Sequence, residues 1–519
     1  MTHGKCKFCL LLAMGGARIN WQALFFCLSP LVMLCAVVLY VKNNPFDWVP
    51  LWSDEIGWYN QIASVAQYGR PLGHTGYNET HAAIGTFGPW GAASVYAMSL
   101  YAALFGWHHY SPAFLNVSYM MLANLVFFLL ARPGKRATLV LAFLNCVLFV
   151  NIQYMFASMS ECTRFSMATV LAGIFCRLLR NGNGTDGRYR FVLWGVAPCA
   201  LLFFVNCYIL FAFLLPVYGY VLFRHLQPKR CRIPVAIALC AVMPALVTLG
   251  SLFLLMKTSS PYPNIMQMYL DQPGVSALLK VLWETVKVNY VHSDVKFILN
   301  ATTRDNGTVS AFIFFYYIIA AVAVVRVLWR WIWKKDVHAL DFLVPYALLV
   351  FIAAFYTLYS TVSPWTYIRG LNVALVFGTF IICASEWRGG GRLVLCMAFM
   401  QFLPFSLVIL NNVDARGKPQ NGFGGGRVTF EKYRDVFAKK LRLSPVGDRW
   451  DNTIALVGGG YNFYCMVPPG FSFNSILQNM KPNKAKYVFV AKNAMSELKG
   501  YRRTYLDGNF SIFEKGNAE

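Results

Sequence analysis

The sequence predicts a polytopic α-helical membrane protein that ends in a small α/β domain. Three observations predict it. Hydrophobic residues make up 57% of the 519 and charged residues only 13%. Mean hydropathy is +0.48. Apolar runs of roughly 17 to 25 residues recur from Trp21 to Leu410, each long enough to cross about 30 Å of hydrocarbon as a helix rising ~1.5 Å per residue. So little polar surface cannot cover a soluble globule of this size. Inside a bilayer no water satisfies the backbone, so closed helices are the expected spanning element. No internal repeat divides the apolar body, which reads as one domain over residues 1–410, followed by a soluble domain over residues 411–519.

The net charge of +24 would fit nucleic acid, but Lys and Arg are concentrated in short gaps between apolar runs, where membrane topology puts them. No nucleic-acid partner is expected; the lipid bilayer is. Most of the fourteen cysteines, Cys27, Cys146 and Cys383 among them, lie inside apolar runs and act as small hydrophobes. Neither a disulfide framework nor a zinc spacing appears. Lys5, Lys7 and Arg18 precede the first long apolar run, as in a cytoplasmic lead into a retained anchor.

Placing the basic gaps Arg132 to Arg136, Arg177 to Arg190, Arg224 to Arg232, Arg330 to Lys335 and Arg388 to Arg392 in the cytoplasm predicts about eleven spans. They fall at roughly 21 to 41, 111 to 131, 137 to 153, 163 to 180, 190 to 205, 207 to 224, 233 to 256, 309 to 329, 339 to 358, 367 to 385 and 392 to 410. The N-terminus is then inside and the C-terminal domain outside. Phe87 to Gly106 is apolar enough to span, yet counting it would reverse the sidedness of every later gap, so it is read as a juxtamembrane helix. The first external loop therefore runs from about Lys42 to Tyr110, unusually long for a connector. A second external loop, Lys257 to Thr308, holds a predicted helix near Val275 to Tyr290. The tail alternates strand-like runs (Thr453 to Val457, Lys486 to Ala491, Phe510 to Phe513) with a helical stretch, Phe430 to Leu441.

The sharpest local feature is the run Trp52-Ser53-Asp54-Glu55, two adjacent carboxylates that open a predicted helix from Glu55 to Tyr68 just outside the first span. Ser53 or Asp54 is equally suited to capping that helix and complementing its dipole. The company of these acids points further: Tyr59 four residues on, the turn Phe87-Gly88-Pro89-Trp90, and the stop Leu104-Phe105-Gly106. This ordering resembles membrane glycosyltransferases of the GT-C class, such as the lipid A aminoarabinose transferases and protein O-mannosyltransferases, over roughly residues 20 to 256.

The resemblance implies a GT-C fold with juxtamembrane helices in a long first external loop. It implies an enzyme that moves a sugar from a polyprenyl-phosphate donor to a hydroxyl of a glycan or lipid acceptor at the outer face of a bacterial inner membrane. Asp54 matches the general base of the class, with Glu55 as its neighbour; a carboxylate within reach takes the proton of an otherwise poor hydroxyl nucleophile. Glu161 matches the second external acid; the alternative is an ion pair with Arg164 or plain solvation. Expected substrate-binding residues are Tyr59, Arg164, Lys257, His292 and Arg369, the last suited to bidentate phosphate contacts or equally to snorkelling at the interface. The chain departs from the aminoarabinose transferases at Gly88, where they carry Lys, and Asn206 and Tyr208 replace a common Lys between helices five and six.

No cofactor is expected, with a divalent cation left open. His74, His81, His108 and His109 share the first loop in no standard metal spacing. Gly424-Gly425-Gly426 and Gly458-Gly459-Gly460 lack the Lys-Ser/Thr of a phosphate loop. The sequons at Asn78, Asn300, Asn306 and Asn509 would be external. A transporter or flippase of a lipid-linked glycan precursor is the alternative class; it would show internal repeats and broken helices.

Overall fold

The computed structural model describes residues 20–50, 53–72, 75–79, 92–147, 151, 154–180, 187–207, 218–219, 221, 271–286, 325, 328–330, 332–334, 373, 376–384, 427–444, 450–458, 465–476, 481–491, 497–508 and 510–516. The predicted spans at 233 to 256, 339 to 358 and 392 to 410, and most of those at 207 to 224 and 309 to 329, lie outside these residues, while residues 373 and 376–384 of the span predicted at 367 to 385 are described and helical.

Helix α1, Trp21–Val41, starts where the Asn20 side chain accepts the Ala23 N–H, and stops at Lys42, whose left-handed backbone returns its N–H to Val38 O. Helix α2 is Ser53–Tyr68, α3 Ala92–Phe105, α4 Ser111–Ala131, α5 Lys135–Val147 and α6 Glu161–Arg180. Helix α7 joins Gly187–Phe191, a π-helical turn Val192–Val196, and Ala197–Cys207. The predicted limits of α1 and α4 coincide with the observed ones. Among the described residues, α1, α4 and Glu161–Leu179 of α6 are long and apolar enough to cross a membrane. Helix α3 has 14 residues, about 21 Å at ~1.5 Å each, short of the ~30 Å of hydrocarbon. It buries Val95, Met98 and Ala102, presents Tyr96, Leu100 and Leu104 outward, and is tied to α2 by the Ser99 hydroxyl, which donates to Ile62 O.

The helical body is organised around a proline. Pro30 lies inside α1 and has no N–H to give to Phe26 O one turn earlier. That buried carbonyl instead accepts Asn124 Nδ2 from α4 at 3.0 Å and the Ser29 hydroxyl at 2.8 Å. Asn145 of α5 then donates to Asn124 Oδ1 at 3.2 Å, so three helices share one polar knot. Phe127 packs edge-on against both Phe26 and Phe380 around it, and the Phe26 and Phe380 rings are tilted to one another. Helix α6 approaches α4 so closely that a Cβ on Gly173 would lie 2.9 Å from Phe127 Cα.

The C-terminal residues form a mixed sheet in the order β1-β3-β2-β4-β6-β5: Thr75–Tyr77, Ser472–Ile476, Thr453–Val457, Tyr487–Ala491, Phe510–Lys515 and Tyr501–Leu506. The first four run parallel, β6 runs antiparallel to β4, and β5 antiparallel to β6. Ile454, Leu456, Tyr487, Phe489, Phe510 and Ile512 face helix α9, Arg427–Lys440, which covers them with Tyr433 and Phe437. Ala455, Val488, Val490 and Phe513 line the opposite face with Leu498. Alternate residues thus enter two cores. Strand β1 comes from the segment between α2 and α3, where no strand was expected, and pairs Thr75 with Phe473 and Tyr77 with Ser475. Helix α8, Val275–Val286, falls within the helix predicted for the second loop.

Replacing Asn124 with Leu removes one of the two donors to Phe26 O, leaving it the Ser29 hydroxyl, and takes the Oδ1 acceptor from Asn145. We expect a loss of about 1–3 kcal/mol in unfolding free energy, read as a lower midpoint in detergent micelles; an unchanged midpoint would contradict the role given to this amide.

Candidate functional site

The two acidic segments singled out by sequence meet. Asp54 lies in the first turn of α2, and its side chain is outside what the structure describes. Glu55 beside it is fully buried, and its backbone carbonyl accepts the Ser158 hydroxyl at 3.0 Å. Ser158 belongs to the buried turn that leads from Tyr154 into Glu161, the first residue of α6. That turn is held from below by α4: Asn116 Nδ2 donates to the carbonyls of Tyr154 at 3.3 Å, Met155 at 2.9 Å and Ala157 at 2.9 Å. From above, the Trp48 ring packs edge-on against Phe156 at 4.6 Å.

Glu161 and Arg164 are each 2% exposed, so neither is a solvated surface charge. Around them in sequence, Asn151 Oδ1, Ser160 Oγ, Thr163 Oγ1 and Ser166 Oγ are buried with no hydrogen-bond partner among the described residues. Buried hydroxyls and amides with unused capacity call for ordered water or a polar ligand. A carboxylate, a guanidinium and a row of hydroxyls together can orient a hydroxyl-bearing substrate or stabilise an anionic leaving group.

Tyr59 opens a second feature. With Asn60, Ala63 and Gln67 of α2, Ala102 and Ala103 of α3, and Trp107, it lines a cleft of about 500 Å³. The opposite wall is Arg434 and Ala438 of α9 and the segment Cys465 to Pro469. Small side chains on α2 and α3 leave the space. Trp107 Nε1 donates to Tyr59 O at 3.0 Å, and the two rings lie 5.1 Å apart. Tyr59 also joins Val49 in the core of the sheet domain with Cys465 and Val467. Burial first, then the neighbouring Cys465 and Tyr110, pushes its phenol well above the ordinary tyrosine range. It acts here as a neutral apolar wall with a hydroxyl.

Lys257, His292 and Arg369 lie outside the described residues, as do His74 and His81. His109 Nε2 is 2.9 Å from Phe46 O, and the His108 ring stacks on Tyr110. Among the described residues no three His, Cys, Asp or Glu gather as a metal would need. Sequence reasoning missed Asn116, Ser158, Trp107 and Arg434. Asn116 carried a signal, an amide in the middle of an apolar run; the other three are brought in by chain-distant packing.

Unfolded tyrosine ionises near pH 10, whereas folded Tyr59 keeps its proton to higher pH. Above about pH 10 the unfolded chain therefore binds fewer protons, and stability falls as pH rises, by at most about 1.4 kcal/mol per unit for one such group. Alkaline denaturation profiles of wild type and Tyr59→Phe should diverge there, the variant being less sensitive. Superimposable profiles would show that the phenol is not sealed.

No protein-family model matches the chain, and no curated protein matches it in sequence. Among solved structures it is similar to ArnT from Cupriavidus metallidurans bound to undecaprenyl phosphate, at 12% identity and a TM-score of 0.45, over 94% of this chain and 98% of that one. The same protein in the apo state gives 12% identity and a TM-score of 0.42, over 93% and 97%. A likeness this slight assigns no chemistry to this chain.

Proposed function

We propose that the protein is a GT-C-type glycosyltransferase that moves one sugar from a polyprenyl-phosphate donor to an acceptor hydroxyl at the outer membrane face. The observation that carries the reading is the Ser158–Glu55 bond, which holds the start of α2 against the turn entering Glu161 and Arg164. Two acid-bearing segments that are far apart in sequence so meet at one place, beside buried hydroxyls with unused hydrogen-bonding capacity.

In this mechanism Asp54 takes the proton of the acceptor hydroxyl as its oxygen attacks the anomeric carbon. The bond from that carbon to the phosphate oxygen breaks, and the polyprenyl phosphate leaves with the electron pair. A phosphate is a good leaving group, so stabilising its charge suffices. Arg164 and Arg369 are the cations assigned to it, with Lys257 and His292 contributed by the second external loop. Glu55, buried, supports the first turn of α2, and Glu161 orients the acceptor hydroxyl. No cofactor enters these steps; a divalent cation beside Glu161 is compatible with them.

The test is purified protein in detergent, offered a panel of undecaprenyl-phosphate sugars, with sugar transfer or donor hydrolysis read by mass spectrometry. Asp54→Asn should lower turnover about a hundredfold or more while leaving the thermal midpoint unchanged. Equal turnover in the variant removes Asp54 as base. Passage of intact lipid-linked precursor across vesicles without turnover would favour a transporter.

A further inference from the structure

Beyond β1 the loop between α2 and α3 turns sharply: Asn78 and Glu79 both adopt left-handed backbone conformations, with φ of 51° and 50°. Left-handed non-glycine residues in succession are unfavourable and persist only where their surroundings fix them. What fixes them here is the Glu79 carboxylate, 4% exposed. Its Oε2 accepts the N–H of Asn483 at 2.7 Å and of Lys484 at 2.9 Å; its Oε1 accepts Lys484 N–H at 3.0 Å and Ala485 N–H at 2.8 Å. The Glu79 N–H donates to Asn474 Oδ1 at 2.6 Å, and Lys484 Nζ donates to Glu79 O at 3.2 Å. Tyr501, whose hydroxyl donates to Ala485 O, is held protonated to higher pH by burial first and then by the Glu79 charge.

Successive backbone N–H groups converging on one point form an anion-binding nest, and a carboxylate leaves water readily only where such charge-assisted bonds replace its hydration. We propose that the backbone at Asn483 to Ala485 is a carboxylate-binding nest of the sheet domain, filled in cis by Glu79. We further propose that this latch is exchangeable and positions the α2–α3 loop against the domain. Strand β1 contributes only three register pairs to β3, a short ladder that needs an anchored end. The cleft wall from Cys465 to Pro469 runs through Gly470 into β3, whose Asn474 accepts the Glu79 N–H, so one contact of the latch lies on the strand that continues the wall. Releasing Glu79 therefore loosens the wall. The latch stands independently of the sugar-transfer reading, because none of its atoms belongs to the proposed reaction.

The experiment uses the full chain in detergent micelles, comparing wild type, Glu79→Ala and Glu79→Gln in sodium acetate and in sodium chloride of equal ionic strength. Two quantities are read: hydrogen exchange of each segment, and the alkylation rate of Cys465, a buried thiol at the cleft wall. Loss of charged hydrogen bonds should raise exchange at 75–79 and 483–485 about tenfold or more in Glu79→Ala, and alkylation with it, while β2 and β4 stay protected. Acetate should reverse both effects in that variant, and chloride should not. The Gln variant keeps the side-chain volume but turns an amide toward N–H donors, so it too should loosen locally. Unchanged exchange, failure of acetate to rescue, or loss of protection throughout β2 and β4 in both variants would overturn the proposal.

Discussion

A backbone group shut away from water needs a partner, and at three places among the described residues this chain breaks regular structure where a backbone partner is missing. Pro30 removes the N–H that Phe26 O would have accepted. The turn after Tyr154 leaves the carbonyls of Met155 and Ala157 facing inward. The segment Asn483 to Ala485 aims its N–H groups at one point. Each deficit is met by a polar side chain from a distant element: Asn124, beside the local Ser29 hydroxyl, then Asn116 and Glu79 respectively. An unmet buried group costs about 1–3 kcal/mol, so these side chains act as long-range ties that fix which elements meet.

The consequences reach the candidate site in sequence. Asn116 sets the height of the Tyr154–Ser160 turn on α4, and the turn presents Ser158 to the first turn of α2. Helix α2 then carries Tyr59 into the sheet domain, where it packs with Val49, Cys465 and Val467. The same helix supplies one wall of the cleft whose other wall is the sheet domain. The acid-bearing start of α2 and the cleft along its later turns are thus two ends of one element, braced from opposite sides.

The helices were legible because their signal is local. Trp21–Val41 and Ser111–Ala131 are continuous apolar runs with clear stops, Lys42 and Arg132, and their ends were read from sequence to the residue. Strand β2, all apolar apart from Thr453, was equally plain. Strands β1, β3 and β5 were not. Thr75-Gly76-Tyr77 is too short for a period to show. In Ser472–Ile476 the ladder partners, rather than alternation, define the strand, and Asn474 is buried because Glu79 uses it. Tyr501–Leu506 is an edge strand whose Arg502 and Arg503 are exposed. Glu79 drew notice only as the middle of a sequon, since nothing beside it in sequence reveals a nest four hundred residues on.

The sheet's two edges are managed differently, and the difference bears on how the protein is put together. Among the described residues the β5 edge is left open, and charged arginines discourage pairing with another chain. At the other end β3 would be a bare edge, but β1 covers it with residues from the segment between α2 and α3. The sheet therefore does not close on C-terminal residues alone: its last ladder requires the chain between α2 and α3. Pairing across so long a sequence separation carries a loop-closure cost with no local reward. The short ladder is stabilised instead by Glu79 in its nest and by the apolar docking of Val49 and Tyr59. A polar contact that demands exact direction and an apolar one that demands only burial act at two points of one seam. Together they specify a single way for the loop to meet the domain, which a cleft shaped by both requires.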